Sequence, residues 1–354
     1  MKDIRIIVFG LGAMGSNMVR LLQNKPPARV IGAIDHDPAK IGQDAGKAAG
    51  LEKSLGIEVG FPPETVLDRV EADLVLHTTT AFLDEAYDQI IALIDRGLNV
   101  ITICQELFFP IGKNISRAKD IDRKAREKGI RITAVGINPG FVMDLLPILC
   151  SVPCWSIEKI FVRRVVDFAP YGPDEMRHIG VNLTQEKFLE GVKAGTIGHI
   201  GLLETTAMVG HCLGFPIDEL KQTKEPLITQ SPRNSRFVKI EPGKVCGFKQ
   251  NVAGLIQGKK ILDFRMVGIV SPHKEEDGVE MGDTTRISGE PSVDITIKEE
   301  IAQKGGLGTS GVAVNMIPIL LDSEPGFHTM DRYVMPRFWR ASNPPGPVQS
   351  ISYD

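Results

Sequence analysis

One carboxylate stands out by its surroundings. Glu106 lies in "TICQELFFP", residues 102–110, directly after the apolar run "GLNVITIC" and just ahead of Leu107, Phe108, Phe109 and Pro110. A lone acid at the end of a buried strand, inside an apolar collar, suits proton transfer or pairing with a cation. Burial raises a carboxylate's pKa and a cationic partner lowers it, so such a site can be tuned either way. The competing interpretation is a surface-loop acid or a helix N-cap; "LFFP" weighs against full exposure.

A second constellation sits at the start of the chain. "VFGLGAMGSN" places Gly10, Gly12 and Gly15 in a GxGxxG pattern that closes a strand and opens a helix. Gly10 permits the tight turn, Gly12 lets the backbone approach a pyrophosphate, and Gly15 lets helix and strand pack closely. Ala13 and Met14 complete the helix N-terminus, whose free N–H groups face phosphate oxygens. Twenty residues past Gly15, at the end of the next strand, Asp35 is placed to accept from ribose hydroxyls. A carboxylate there repels a 2′-phosphate, and His36 and Asp37 follow rather than an arginine, so NAD is expected over NADP. Lys40 partly offsets that preference and leaves NADP possible. The third strand ends in "HTTTAF", where Thr78, Thr79 and Thr80 either line the nicotinamide side or are ordinary strand-end threonines.

Stepping out from these residues, the elements that carry them alternate. "IRIIVFG", "ARVIGAIDHD", "ADLVLHTTT", "NVITIC" and "IRITAVG" read as strands; "AMGSNMVRLLQN", "LDEAYDQIIALIDRG" and "GKNISRAKDIDRKAREKG" read as helices, the last two closed by glycine. This alternation predicts βαβ units and a Rossmann-type, doubly wound parallel sheet. Ligands in such sheets sit beyond the C-terminal strand ends, which puts Glu106 at the cofactor rim. After Pro139 the pattern changes. Segments 158–168, 235–252, 258–272 and 284–297 alternate and suggest a mostly antiparallel sheet, interrupted by helices near 184–194 and 200–213. The expected organisation is therefore α/β plus α+β. Residues 1–138 form the dinucleotide-binding domain, 139–305 an α+β substrate and dimerisation domain, and 306–354 a C-terminal helix and tail packing back on the body. A break is expected at Pro318, and the Pro-, Ser- and Gly-rich stretch 336–354 is expected to be a surface arm.

"GINPGFVMDLLP", residues 136–147, marks the crossing between domains. Asn138-Pro139-Gly140 is a rigid turn. Asn138 would hold the nicotinamide amide or orient a loop, and Phe141 and Met143 would form pocket wall; a purely structural turn is the alternative for each.

Bulk properties narrow the class. At 354 residues the chain exceeds one ordinary core, and a net charge of −3 from 41 basic and 44 acidic residues gives no electrostatic case for nucleic acid or an anionic membrane. The N-terminus enters a strand directly, without a signal-peptide pattern, and the most apolar stretch, 132–157, carries Asp144 and three prolines, unlike a membrane span. Five scattered cysteines, with no CxxC pair and no HExxH, predict reduced thiols in a cytoplasmic protein and no metal. A homodimer is expected, since an exposed sheet face in a second domain is often buried that way.

Together, "VFGLGAMG", "CQELFFP", "GINPGFVMDLLP", "GHIGLLETTAMV" (198–209) and "GDTTRISGEPSVDI" (282–295) make the chain resemble the 2,4-diaminopentanoate dehydrogenases and the related native amine dehydrogenases. These share the two-domain plan of dihydrodipicolinate reductase. That reductase's own signature, a His-His pair followed by Lys and Gly-Thr, is missing, which favours the amine branch. The resemblance implies that Glu106 is the catalytic carboxylate of an NAD(P)-dependent oxidative deamination running through an iminium, with Phe108, Phe109 and Phe141 excluding bulk water. It implies a small-molecule amine substrate, 2,4-diaminopentanoate, whose α-carboxylate needs a reader. Arg177, His178 and Asn182 are the candidates, with Tyr171 covering the pocket; surface polar residues on a helix are the default for all of them. His199 and Glu204 would sit at the domain interface. Two alternatives stay open: the same chemistry on simpler amines, and a non-catalytic dinucleotide-binding sensor.

Overall fold

The structure, a computed structural model, describes residues 3–298, 306–333 and 350–353. The chain divides into two compact units. The first combines residues 1–140 with 306–333, and the second combines 141–305 with 334–354.

The first unit is built on seven strands: β1 (Ile4–Phe9), β2 (Ala28–Ile34), β3 (Val59–Gly60), β4 (Leu74–His77), β5 (Asn99–Thr102), β6 (Arg131–Ala134) and β15 (Gly326–His328). They lie in the order β15-β6-β5-β4-β1-β2-β3, every pair parallel. All four residues of β4 are buried, as are Ile6–Phe9 of β1, which is why these strands appear as unbroken apolar runs. Strand order reverses between β1 and β4, and the crevice beyond their C-terminal ends is where such sheets hold ligands.

The C-terminal segment returns to this unit. Helix Leu307–Asn315 packs on helix Ala13–Leu22, where Ser310 Oγ donates to Met14 O (3.1 Å). The expected break falls at Met316, between Leu307–Asn315 and Ile317–Leu321, because Pro318 has no N–H for the carbonyl of Val314. β15 then completes the sheet edge beside β6.

In the second unit a seven-stranded sheet joins β7 (Ser156–Asp167), β8 (Glu219–Ile228), β11 (Val245–Ile256), β12 (Lys259–Ile269), β13 (Gly282–Glu290), β14 (Val293–Ile297) and β16 (Ser350–Tyr353), in the order β14-β13-β7-β12-β11-β8-β16. Only β12–β7 and β16–β8 are parallel pairs, so the sheet is mostly antiparallel. β11 and β12 form a hairpin around Gln257-Gly258, both at positive φ, as the twist of a two-residue turn demands. The expected single strand over 235–252 is two: β10 (Lys239–Ile240), paired with β9 (Arg233–Asn234), then β11 after the Pro242-Gly243 turn. Of the expected arm 336–354, only 350–353 falls among the described residues, and its backbone adds a strand to β8. Helix Leu202–Cys212 covers the sheet and is buried almost all round.

Candidate active site

The glycine loop meets each steric requirement read from its sequence. Gly10 sits at φ +99°, and a Cβ there would lie 2.8 Å from the Thr78 carbonyl oxygen. A Cβ on Gly15 would lie 1.8 Å from the Gly10 carbonyl oxygen, whereas one on Gly12 would meet nothing within 4 Å. Gly10 and Gly15 are therefore demanded by the fold, and Gly12 leaves open space at the start of helix Ala13–Leu22, where a phosphate can approach first-turn N–H groups. Gly15→Ala is expected to displace the turn and to lower dinucleotide affinity by about a hundredfold or more, the scale of losing several charge-assisted contacts; isothermal titration with NAD measures it.

Asp35 is almost fully buried at the end of β2. Its Oδ2 accepts from Leu11 N–H (2.6 Å) and from Lys40 Nζ (3.2 Å), and its Oδ1 accepts from Asp37 N–H (2.8 Å). The acid thus holds the glycine loop through Leu11 N–H. An ionised carboxylate has about four acceptor sites, so room remains for a hydroxyl.

Beyond β4, the three threonines are all engaged within the unit. Thr78 Oγ1 donates to Gly10 O (2.7 Å), Thr79 Oγ1 to Gln89 Oε1 (2.8 Å), and Thr80 Oγ1 to Glu85 Oε2 (2.6 Å). Thr78 and Thr80 shape the rim; Thr79, which is exposed, is the one whose surface faces outward.

Glu106 lies in a one-turn helix, Gln105–Phe108, immediately after β5. Its N–H donates to Ala81 O (3.2 Å), and its Oε2 accepts from Leu83 N–H (2.7 Å) at the start of helix Leu83–Asp95. The acid therefore does cap a helix, though of the neighbouring element, and that bond fixes one oxygen. Oε1 receives no hydrogen bond from a described residue, and the side chain is half-buried. The aromatic collar is uneven: Phe108 is 1% exposed and packs inward, while Phe109 stays half-buried beside the acid.

His77, which sequence reasoning passed over, is completely buried at the end of β4. Its Nδ1 lies 2.9 Å from Thr102 Oγ1 and its Nε2 lies 2.8 Å from Gln89 Oε1. Burial pushes its pKa down to about 4, against a smaller upward pull from Gln89. The fold thus holds this ring neutral while the unfolded chain protonates it near 6.5. As pH falls from about 6.5 toward 4 the unfolded state binds the proton first, and the fold loses about 1.4 kcal/mol per pH unit from this group. Urea midpoints at pH 7, 6 and 5 are expected to fall accordingly, with a shallower slope in His77→Gln.

Asn138 is buried in the turn after β6, whose tightness shows at Gly140 (φ +133°), where a Cβ would lie 2.2 Å from Gly136 O. Phe141 is half-buried and Met143 fully buried; Asp144, also buried, caps helix Leu145–Cys150 and accepts from Thr205 Oγ1 (3.1 Å).

In the second unit the proposed carboxylate readers cluster on one loop and helix. Tyr171 rests on Phe168 (centroids 4.9 Å apart), Arg177 is exposed in the last turn of helix Pro173–His178, and His178 is half-buried. Asn182 adopts φ +68° and donates its N–H to Val245 O (2.8 Å), so a left-handed turn accounts for that residue.

A different polar set is more enclosed. Cross-strand register places Asp283, Arg164, Met266, Gln250 and Lys224 in one row across five strands. Arg164 and Asp283 form a buried ion pair (2.9 Å), in which burial pushes the carboxyl up against the pull of the guanidinium. Gln250 holds both main-chain groups of His199, with Oε1 accepting from its N–H (2.9 Å) and Nε2 donating to its O (3.0 Å). His199 Nδ1 is shut off from solvent without a hydrogen-bond partner. Burial and then the charges of Arg164 and Lys224 hold that imidazole's pKa down to about 3. Lys224 donates to Ile197 O (3.0 Å), and burial lowers its pKa. Two cations and an unsatisfied ring nitrogen lie near one another here, with Asp283 already pairing Arg164 and the charge of Glu204 acting on Lys224.

The glycine turn, the acid after β2 and the all-parallel sheet make a Rossmann-type unit, and the chain's relatives make it a dinucleotide-dependent oxidoreductase. A family model for the N-terminus of dihydrodipicolinate reductase matches residues 4–102, and one for the 2,4-diaminopentanoate dehydrogenase C-terminal domain matches residues 141–343. The 2,4-diaminopentanoate dehydrogenase of Acetoanaerobium sticklandii is 32% identical over 95% of each chain. The chain belongs to the 2,4-diaminopentanoate dehydrogenase family. An amine dehydrogenase of Streptomyces virginiae is 25% identical over 92% of this chain and 94% of that one. The solved structure of an amine dehydrogenase from Mycobacterium smegmatis shares the fold with a TM-score of 0.85 at 24% identity, covering 96% of this chain and 98% of that one.

Proposed function

We propose that this protein oxidatively deaminates 2,4-diaminopentanoate to 2-amino-4-oxopentanoate and ammonia, with NAD as the preferred oxidant. The observation that carries the reading is Glu106: one oxygen fixed by Leu83 N–H, the other open, on the C-terminal rim of the dinucleotide unit. NAD, when bound, supplies the acceptor for the hydride that leaves the amine-bearing carbon. Glu106 takes the proton that frees the amine lone pair and passes it to solvent; as a carboxylate again it stabilises the positive charge of the iminium, takes a proton from the water that adds to it, and returns that proton to the departing nitrogen. Ammonia then leaves and the ketone remains. The NAD preference follows from charge: a 2′-phosphate would meet Asp35 and Asp37, with Lys40 as the opposing cation 3.2 Å from Asp35.

For the substrate's α-carboxylate, the row of Arg164, which Asp283 already pairs, and Lys224 beside His199 is a further candidate within the second unit, next to the exposed Arg177 and the turn residue Asn182. A substrate without a carboxylate gains nothing from that row. The competing reading, simpler amines, draws on the amine dehydrogenase of Streptomyces virginiae. Reduced-nicotinamide formation at alkaline pH separates them. Turnover of 2,4-diaminopentanoate at lower KM than that of an alkylamine is expected, and faster with NAD than with NADP; no turnover of either amine would sink the enzymatic reading.

Two further expectations belong to the same proposal. The five cysteines, all buried, are expected to be reduced thiols in a cytoplasmic protein. A homodimer is expected in sedimentation.

A further inference from the structure

We propose that His77 is a positioning residue for Glu106, closing a hydrogen-bonded ring that fixes where the carboxylate stands. The inference rests on the reading of Glu106 as the reacting base. The ring can be traced atom by atom. Cys104 N–H donates to Thr102 Oγ1 (3.0 Å), and Thr102 Oγ1 lies 2.9 Å from His77 Nδ1. His77 Nε2 meets Gln89 Oε1 (2.8 Å), which belongs to helix Leu83–Asp95. At the head of that helix, Leu83 N–H donates to Glu106 Oε2 (2.7 Å). Glu106 in turn sits in the one-turn helix whose N-cap is Cys104, and the circle is complete.

The partners determine the proton positions. Gln89 Oε1 only accepts, so Nε2 carries the proton; Nδ1 then accepts from the Thr102 hydroxyl, which itself accepts from Cys104. With a neutral imidazole every hydrogen bond in the chain has one donor and one acceptor, and complete burial favours that state. Two further contacts tie the ring to the cofactor side: Phe9, the last residue of β1, meets the imidazole edge-on at 5.5 Å, and Thr79 Oγ1 lies 3.0 Å from Nε2. His77 is thus the one side chain named here that touches β1, β5, the rim after β4 and the helix that Glu106 caps.

His77→Phe keeps the volume and removes both ring nitrogens. Its amides at Leu83 and at 103–107 are expected to exchange hydrogen about tenfold faster or more, while those of 10–16 stay unchanged. With NAD and 2,4-diaminopentanoate, kcat is expected to fall about tenfold with KM for NAD unchanged, and His77→Gln, which can still reach Gln89, recovers part of the loss. In a Glu106→Gln background, His77→Phe is expected to cost no further kcat, because it acts through the carboxylate. Unchanged exchange at Leu83 and 103–107, or an equal loss of kcat with and without Glu106, overturns the proposal. If His77→Phe does not fold, the exchange measurement on His77→Leu, which also lacks both ring nitrogens, decides alone. Faster exchange at these amides in an enzyme that turns over neither amine would uphold the positioning and reject the reading of Glu106.

Discussion

Replacing Glu106 with glutamine is expected to lower kcat by about two to four orders of magnitude, the usual worth of a positioned general base. The amide is nearly isosteric and its oxygen can still accept from Leu83 N–H, so the cap is retained and the fold is expected to stay intact. NAD affinity, measured by titration, is expected to be unchanged, because the glycine loop and Asp35 form no bond with Glu106. Glu106→Ala is the informative contrast. It removes the cap as well, so about 1 kcal/mol of stability is expected to go with the activity. A Glu106→Gln enzyme with full turnover would show that the proton goes elsewhere.

The second large effect concerns Arg164. Arg164→Met leaves Asp283 buried without its partner and is expected to cost about 3–5 kcal/mol, read as a drop in the urea midpoint. Adding Asp283→Leu removes the stranded charge and is expected to restore most of that loss, since a buried pair is often no more stable than apolar residues of similar volume. If the row reads the substrate carboxylate, the restored double variant still has a KM for 2,4-diaminopentanoate raised about tenfold or more, with KM for an alkylamine unchanged. A double variant that binds 2,4-diaminopentanoate normally would move the carboxylate reader elsewhere.

Particular elements show what could be read in advance. β1, β2, β4, β5 and β6 were legible because buried parallel strands are unbroken apolar runs bounded by turn residues. The glycine loop was legible because its constraints are local and steric. β8, "ELKQTKEPLI", was not: it is polar, contains Pro226, and is a strand by virtue of its pairing with β11. β3 and β15 are two and three residues long, below the length at which periodicity carries a signal. The row from Asp283 to Lys224 was invisible for a different reason. Its residues lie up to 119 positions apart, and only strand register brings them side by side. Arg177, His178 and Asn182 attracted notice because they are neighbours in sequence, which is no guide to convergence in space. His77 was hidden in plain view beside the threonines, since nothing in "HTTTAF" reveals that its ring is enclosed on every side.

The return of residues 306–333 to the first unit has a consequence for how the molecule is made. Helix Ala13–Leu22, which begins at the phosphate-binding turn, receives its packing partner from Leu307–Asn315, and the sheet edge at β6 is covered only by β15. On the ribosome the first unit therefore waits, its edge open, until residues 141–305 of the second unit have been translated. The first unit begins first and is completed only by residues 306–333, so a nascent chain stalled near Gly140 presents the β6 edge to whatever strand or chaperone reaches it.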